Sequence, residues 1–211
     1  MSISIKPIII NIEGNIGSGK STFIKHVKER FEHMPHVFVL PEPVDEWLKI
    51  KDDEGNILEH YYKDQKKYSF AFQMMAYISR LAILKKAIED GYTIIITERC
   101  LQTDKYVFCQ MLYDDGFISD IEYQIYNKWF DTFQMKASYQ TIYMRCKPEI
   151  AFERVLTRGR VEEAIPLDYL QKCHDYHERW LEKVIILDAN QNVYKQPDIL
   201  QEWIDCIETL M

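Results

Sequence analysis

The stretch that decides the fold is Ile8-Ile-Ile-Asn-Ile-Glu-Gly-Asn-Ile-Gly-Ser-Gly-Lys-Ser-Thr22. Its first half is rich in isoleucine, which is typical of a strand buried on both faces of a parallel sheet. Its second half has the form GxxxxGK followed by Ser or Thr, and it runs into Lys20–His33, whose apolar residues have helical spacing. A strand, a glycine-rich turn and a helix in this order predict a phosphate-binding loop.

The predicted loop has a definite chemistry. Its glycines let backbone N–H groups point at phosphate oxygens, and the helix that follows adds the positive end of its dipole. Lys20 is expected to contact the β- and γ-phosphates, and the Ser21 hydroxyl to bind Mg²⁺. ATP or another nucleoside triphosphate is therefore the predicted ligand. We expect phosphate contacts along the whole loop, from Gly14, Asn15, Ile16, Gly17, Ser18, Gly19, Lys20, Ser21 and Thr22.

The composition is that of an ordinary globular protein. The chain has 211 residues, of which 47% are hydrophobic and 28% charged, so collagen-like, low-complexity and disordered classes are excluded. This length predicts a single domain over residues 1–211. The net charge of −7 argues against nucleic acid or a membrane as a partner. Dispersed cysteines, with no recognisable targeting sequence or long apolar run, predict a cytoplasmic location.

The rest of the chain alternates between two kinds of segment. Short β-branched runs predict strands at Ile8–Ile12, Val37–Leu40, Thr93–Thr97, Thr141–Met144 and Val184–Leu187. Helical spacing predicts helices at Lys20–His33, Tyr68–Asp90, Ile118–Lys136, Pro148–Leu156, Leu167–Lys183 and Asp198–Met211. This alternation predicts an α/β fold of the P-loop NTPase type, with a five-stranded parallel sheet flanked by helices. Ligands should then bind beyond the carboxyl ends of the strands.

Acidic residues follow two of the predicted strands. Glu42 stands between two prolines that hold its backbone extended, and a carboxylate fixed there is placed to take a proton from an attacking hydroxyl. Glu98 occupies the place where a second acidic residue positions Mg²⁺ in phosphate-loop enzymes. Arg99 beside it is suited to neutralise phosphate or to fix a carboxylate. A solvated turn glutamate and a surface ion pair are the alternative interpretations.

An arginine cluster follows the fourth predicted strand. Arg154 and Arg158 are four residues apart and share a helix face, Gly159 breaks the helix, and Arg160 comes next. Such a cluster suits an arginine-rich lid over phosphates, at about residues 154–166. A helix end crossed by salt bridges is the alternative.

Together these motifs resemble the deoxynucleoside kinase family, which includes deoxycytidine and deoxyguanosine kinases and the insect multisubstrate enzyme. The resemblance covers GNIGSGKST from Gly14, PEPVDEW from Pro41 and the segment 62–73. It continues through Glu98-Arg-Cys100 and the segments 154–163 and 165–181. Several independent motifs in the right order carry it, where any one of them alone is a modest signal.

The resemblance implies ATP-dependent phosphorylation of a deoxynucleoside 5′-hydroxyl, with Mg²⁺ as cofactor. It implies that Glu42 is the base, Arg99 its partner and Lys20 a further catalytic group. Ser21 and Glu98 then bind the metal. Nucleoside contacts are implied for Glu42, Trp47, Tyr62, Phe72, Gln73, Arg99 and Glu163, and phosphate contacts for Arg154, Arg158 and Arg160. Residues 188–193 match the family's adenine-binding segment loosely.

Arg80 and Asp104 bear on the choice of base. A charged pair at the matching places is characteristic of deoxycytidine and purine kinases in this family, whereas thymidine-accepting relatives have smaller or apolar residues there. A carboxylate accepts a hydrogen bond from an exocyclic amine, and a bulky ion pair leaves little room for a thymine methyl group. The resemblance thus favours deoxycytidine or a purine deoxynucleoside, with a thymidine-preferring or multisubstrate enzyme and a structural salt bridge as alternatives.

Two further alternatives are a nucleoside monophosphate kinase and a non-catalytic relative. The first needs a basic site where this chain has Glu42 and two more acidic residues, and the second is expected to lose the lysine or the carboxylates that are present here. The family usually forms homodimers, for which Tyr68–Asp90 and Tyr123–Phe133 are candidate interface segments. Three departures from the family pattern are Cys100 in place of serine, Gln65 in place of proline, and a lid one residue shorter.

Overall fold

A computed structural model of the protein describes residues 6–135, 137–159 and 165–211. The strands are β1 (Ile8–Glu13), β2 (Val37–Leu40), β3 (Lys51–Asp52), β4 (Gly55–Asn56), β5 (Ile94–Glu98), β6 (Ser138–Arg145) and β7 (Ile185–Asp188). The helices are α1 (Lys20–Phe31), α2 (Val44–Trp47), α3 (Ile57–Lys63), α4 (Gln65–Glu89), α5 (Leu101–Thr103), α6 (Gln110–Asp114), α7 (Asp120–Thr132), α8 (Pro148–Arg158), α9 (Leu167–Trp180) and α10 (Pro197–Glu208). A π-helical segment, Asp104–Cys109, joins α5 to α6.

The main sheet has five parallel strands in the order β2, β5, β1, β6, β7, which confirms the predicted α/β fold and its parallel sheet. β1 is central and pairs with β5 and β6, so that Ile10 lies opposite Ile96. β3 and β4 form a separate small hairpin. This order places the carboxyl ends of β1, β2 and β5 side by side.

β1 is apolar throughout most of its length because both of its faces are covered. Ile10 and Ile12 have no exposed surface and belong to one apolar cluster with Phe23 of α1 and Trp203 of α10. Ile9 belongs to a second cluster, on the side of α4. Each fully buried isoleucine contributes about 1.5–3 kcal/mol relative to an exposed one, so this strand is suited only to the interior.

A further apolar cluster lies beyond the sheet and is rich in aromatic rings. It combines Trp47 of α2, Phe72 and Tyr77 of α4, and Tyr126 and Phe130 of α7. This cluster packs α4 and α7 together and supplies an aromatic wall near the carboxyl end of the sheet.

Most differences from the predicted boundaries have a local cause. α4 begins three residues earlier than predicted because the Asp64 side chain accepts a hydrogen bond from the backbone N–H of Lys67 at 3.1 Å. α7 begins two residues later than predicted because Ser119 and Glu122 form a capping box. The fourth predicted strand is longer than expected, because β6 follows β1 over six paired residues.

The sequence analysis missed the helical segment from Leu101 to Asp114. Its central part is π-helical, and the wider turn breaks the 3.6-residue spacing by which helices are recognised. This segment carries Asp104 and packs against α4, α7 and α9.

α8 ends at Gly159, which has a φ of 61°, so the predicted helix break is confirmed. Arg160 and Glu163 lie outside the described residues, as does most of the predicted lid beyond Gly159. Within the described ranges, no helix is both long and apolar enough to cross a lipid bilayer.

Candidate active site

The loop between β1 and α1 is tightly packed and holds a buried lysine. Gly17 has a φ of 79°, and a Cβ atom there would lie 2.3 Å from the carbonyl oxygen of Ala151, so only glycine fits. Lys20 is 4% exposed, and its ammonium donates to the carbonyl oxygen of Asn15 at 2.7 Å. The amide of Asn15 in turn donates to the carbonyl oxygen of Leu170 at 2.8 Å, which anchors the loop to α9.

Lys20 has an unusual protonation equilibrium. Burial lowers its pKa to about 7, with help from the charge of Arg99, although Glu98, Glu42 and Glu13 favour the charged form. A further negative charge beside Lys20 would favour its charged form.

Glu98 at the end of β5 links the loop to the acidic residue after β2. The Ser21 hydroxyl donates to Glu98 Oε1 at 2.7 Å. The backbone N–H of Glu42 is 3.5 Å from Glu98 Oε2. The carboxyl ends of β2 and β5 and the first turn of α1 therefore lie next to one another, as expected for a parallel sheet.

Glu42 is held by two arginines. Arg99 Nη1 donates to both of its carboxylate oxygens, at 2.7 and 2.9 Å, and Arg80 Nη2 donates to Oε1 at 3.1 Å. Burial would raise the pKa of Glu42, but the charges of Arg99, Arg80 and Lys20 outweigh burial and lower it to about 2. Glu42 is therefore ionised over the whole physiological pH range.

The backbone at Arg99 is adapted to this contact. Its φ is 62°, which is uncommon for a residue with a side chain and costs on the order of 1–3 kcal/mol. Its backbone N–H donates to the carbonyl oxygen of Ile12 at 3.0 Å, which holds the turn against β1. The strained turn directs the guanidinium towards Glu42 and places it 5.2 Å from the ring centre of Phe108.

Arg80 and Asp104 form the predicted ion pair, and it is buried. Arg80 Nε donates to Asp104 Oδ2 at 3.0 Å, and both side chains are 3% exposed. Arg80 Nη1 also donates to the carbonyl oxygen of Glu98 at 2.9 Å. Burial opposes the charge of Arg80, but Asp104 and Glu42 outweigh it and raise the pKa of the guanidinium above its ordinary value.

These groups line a cavity of about 1130 Å³. One side is aromatic: Trp47 and Phe72 meet edge to face with ring centres 5.5 Å apart, and Phe72 stacks on Tyr61 at 4.6 Å. The hydroxyls of Tyr61 and Tyr169 lie 3.0 Å apart, which connects this wall to α9. Gln73 is 2% exposed and lies on the same side.

The other side of the cavity is formed by α8 and the loop after β7. Arg154 lines the cavity, but its guanidinium donates to main-chain carbonyls. Nη1 reaches the carbonyl oxygens of Ala189 at 2.8 Å and Ser18 at 3.3 Å, and Nη2 those of Gln191 at 3.1 Å and Asn190 at 3.3 Å. Arg154 thus joins the phosphate-binding loop to the loop after β7, an arrangement that helical spacing does not predict.

Most of the predicted site residues come together at this cavity. It is lined by Ile16, Gly17, Ser18, Gly19, Lys20, Ser21, Thr22, Glu42, Trp47, Tyr62, Phe72, Gln73, Arg80, Glu98, Arg99, Asp104, Arg154 and Arg158. Gly14 and Asn15 belong to the same loop but are buried and do not line the cavity. The sequence analysis missed Tyr61 and Phe108 and left Tyr169 without a role. Only Phe108 had a signal in the sequence, since it lies four residues after Asp104. No comparable spacing pointed to Tyr61 or Tyr169.

Comparison with known proteins agrees with this geometry. The sequence model of the deoxynucleoside kinase family matches residues 10–210. A probable deoxycytidine kinase of fowlpox virus is 35% identical over 192 residues, which cover 89% of this chain and 75% of the relative. Human deoxycytidine kinase is 35% identical, over 82% of this chain and 74% of the relative. The mitochondrial deoxyguanosine kinase of Xenopus laevis is 30% identical, over 90% and 79% of the two chains.

The family match spans nearly the whole chain, and the relatives are covered over most of their length. The chain therefore belongs to the deoxynucleoside kinase family and is a nucleoside-phosphorylating enzyme of nucleotide salvage.

Proposed function

We propose that the protein transfers the γ-phosphoryl group of ATP to the 5′-hydroxyl of deoxycytidine or a purine deoxynucleoside. The observation that carries the proposal is the position of Glu42. It lies in the same cavity as the phosphate-binding loop, 2.7 Å from Arg99 and next to the Ser21–Glu98 pair. A carboxylate fixed at this place can hold the acceptor hydroxyl in line with the transferred phosphoryl group.

Glu42 acts as the base in this proposal. Its low pKa makes it a weak base, which suits a loose transition state in which the hydroxyl proton leaves late. Its first task is to orient the hydroxyl, and it accepts the proton as the new bond forms. Arg99 keeps the carboxylate in place during this step.

Ser21 and Glu98 would hold Mg²⁺ together with the phosphates. The pairing of a hydroxyl with a carboxylate oxygen at 2.7 Å is a donor set of hard oxygens, which magnesium prefers. A site with few protein ligands suits a magnesium ion that arrives with ATP and neutralises charge on its phosphates. Lys20 and Arg158 line the same cavity and would contact the phosphates as well, and Arg160 is proposed from the family pattern alone.

The aromatic side of the cavity is the proposed acceptor pocket. Trp47 and Phe72 would enclose the base, and Gln73 would hydrogen-bond its edge. Tyr62 would hold the 3′-hydroxyl, together with Glu163 by resemblance. The buried Arg80–Asp104 pair supports deoxycytidine or a purine. Its carboxylate can accept a hydrogen bond from an exocyclic amine, whereas a thymine methyl group has no hydrogen bond to donate.

A homodimer is part of the proposal. α7 exposes a row of large apolar side chains at helical spacing, with Ile121 71% exposed, Ile125 41% and Trp129 43%. Ile78 of α4, 44% exposed, adds a fourth. A contiguous exposed apolar patch is typical of a protein–protein interaction surface. Light scattering should give a mass of two chains, and Ile121→Glu combined with Ile125→Glu should reduce it to one.

The decisive test is a kinetic comparison of Glu42→Gln with Glu46→Gln. The two changes are chemically identical, but Glu46 is exposed on α2 and lies outside the cavity lining. We expect kcat with ATP and deoxycytidine to fall by about 10²–10⁴ in Glu42→Gln and to stay unchanged in Glu46→Gln. Near-normal turnover of Glu42→Gln would overturn the role of Glu42.

The choice of acceptor is tested by a steady-state panel of the four deoxynucleosides, with deoxycytidine monophosphate as a fifth acceptor. We expect the highest kcat/KM for deoxycytidine or a purine. A highest value for thymidine would favour the thymidine-preferring alternative, and a highest value for the monophosphate would favour a nucleoside monophosphate kinase.

A further inference from the structure

We infer that Ser79 of α4 is a positioning residue for the acceptor pocket: its hydroxyl fixes the indole ring of Trp47. The inference rests on the proposed function, because it gives the aromatic wall its task of enclosing the base. Ser79 does not line the cavity and belongs to none of the motifs in the sequence. Its role follows from a single chain of contacts.

The contact with Trp47 is well formed. The indole Nε1–H donates to Ser79 Oγ at 2.9 Å. The Ser79 hydroxyl donates to the carbonyl oxygen of Ala76, one turn earlier in α4, at 3.1 Å. Because the hydroxyl proton is committed to that carbonyl, a lone pair of the oxygen is available to the indole. The serine thus acts as an oriented acceptor on the rigid surface of a 25-residue helix.

Trp47 needs such an anchor because its own helix is short. α2 has four residues, and its cap position is Pro43, which provides no side-chain hydrogen bond. The indole is 5% exposed and carries an N–H group that must be paired when it is buried. A rotation of the ring would break the bond to Ser79, and this fixes one ring orientation.

That orientation determines the shape of the acceptor pocket. The indole meets Phe72 edge to face, at 5.5 Å and an interplanar angle of 84°. The Arg80 guanidinium lies 5.8 Å from the centre of the indole ring. Ser79 and Arg80 are adjacent in α4, so one helix sets both the aromatic wall and the charged pair behind the base. Loss of the Ser79 hydroxyl should loosen the wall and leave the donor side of the cavity untouched.

The experiment compares Ser79→Ala, Ser79→Thr, Trp47→Phe and the double variant Ser79→Ala/Trp47→Phe. The matched control is Ser69→Ala, which removes another buried hydroxyl from α4, one with no partner among the described residues. Steady-state kinetics with ATP and deoxycytidine give the two KM values and kcat. The ¹⁵N–¹H spectrum of the unliganded protein follows the indole N–H resonance of Trp47, assigned by its loss in Trp47→Phe.

For Ser79→Ala we expect the KM for deoxycytidine to rise by about two- to tenfold, as for the loss of one hydrogen bond, with the KM for ATP unchanged. Ser79→Thr keeps the hydroxyl and should retain the wild-type KM. The KM of the double variant for deoxycytidine should be no higher than that of Trp47→Phe, because both changes remove the same hydrogen bond between Trp47 and Ser79. The Trp47 indole resonance should move upfield in Ser79→Ala and stay in place in Ser69→Ala.

Three results would overturn the inference: an unmoved indole resonance in Ser79→Ala, an equal rise of the KM values for ATP and deoxycytidine, or additive penalties in the double variant. The spectrum does not depend on turnover. If the wild-type protein phosphorylated no deoxynucleoside, the proposed function would fail, while the resonance and equilibrium binding of deoxycytidine would still decide the role of Ser79.

Discussion

Replacing Asp104 should destabilise the protein strongly, although Asp104 is not a member of the apolar core. Asp104 is the closest carboxylate to Arg80, which is itself 3% exposed on its side chain. In Asp104→Leu the guanidinium keeps its bonds to Glu42 and to the carbonyl oxygen of Glu98 but loses the carboxyl group at 3.0 Å. Glu42 is already shared with Arg99, so it cannot replace the missing charge.

The magnitude follows from the burial of the pair. Breaking a buried ion pair by removing one partner costs about 3–5 kcal/mol, because the other charge is left uncompensated. For a chain of 211 residues each kcal/mol lowers Tm by about 2–4 °C. Asp104→Leu should therefore lower Tm by about 6–20 °C. Replacing both partners, as in Arg80→Met/Asp104→Leu, should recover most of this loss because no buried charge remains unpaired.

Calorimetry of the two single variants, the double variant and the wild type completes the double-mutant cycle, with urea unfolding as an independent measure. The exposed pair of Lys86 and Asp90 at the C-terminal end of α4 is the control, since Asp90→Leu should change the free energy of unfolding by less than about 1 kcal/mol. A loss below 1 kcal/mol in Asp104→Leu, or penalties that simply add in the double variant, would refute the reasoning.

Three other changes give distinct outcomes. Gly17→Ala should raise the KM for ATP more than about tenfold, since its Cβ would meet the Ala151 carbonyl at 2.3 Å, and a normal KM would contradict the close approach. Arg154→Ala should raise the KM for ATP about tenfold while leaving that for deoxycytidine unchanged, because it frees the loop after β7. Lys20, with its pKa lowered to about 7 by burial, should take up a proton when ATP binds, so ATP affinity should fall as the pH rises through 7. Calorimetry in two buffers of different ionisation enthalpy measures that uptake, and identical heats would rule it out.

The strands of the sheet were well predicted because the signals for a strand and for the turn after it lie in contiguous residues. The isoleucine run of β1 and the glycines after it are contiguous, and each can be interpreted without knowing what packs against it. The same holds for Glu42 and Glu98, since residues after parallel strands meet at one edge of the sheet.

The sequence could not predict the contacts that depend on distant backbone. The sequence predicts Arg154 as a phosphate ligand, but no side-chain pattern reveals that its guanidinium also donates to four main-chain carbonyl oxygens. Tyr169 meets Tyr61 across 108 positions of the chain. The helical segment that carries Asp104 escaped detection because its π-helical turn has no regular spacing.

That π-helical turn has a consequence for how the pocket can vary. A π turn holds one residue more than an α turn, and so it corresponds to a one-residue insertion in an ordinary helix. Deleting one residue from Asp104–Cys109 would restore an α-helical turn and leave the flanking helices in register, so that only the side chains within the turn would change direction. Either Asp104 would turn away from Arg80 or Phe108 would leave Arg99. A length change of a single codon here would therefore alter the proposed acceptor pocket in one step.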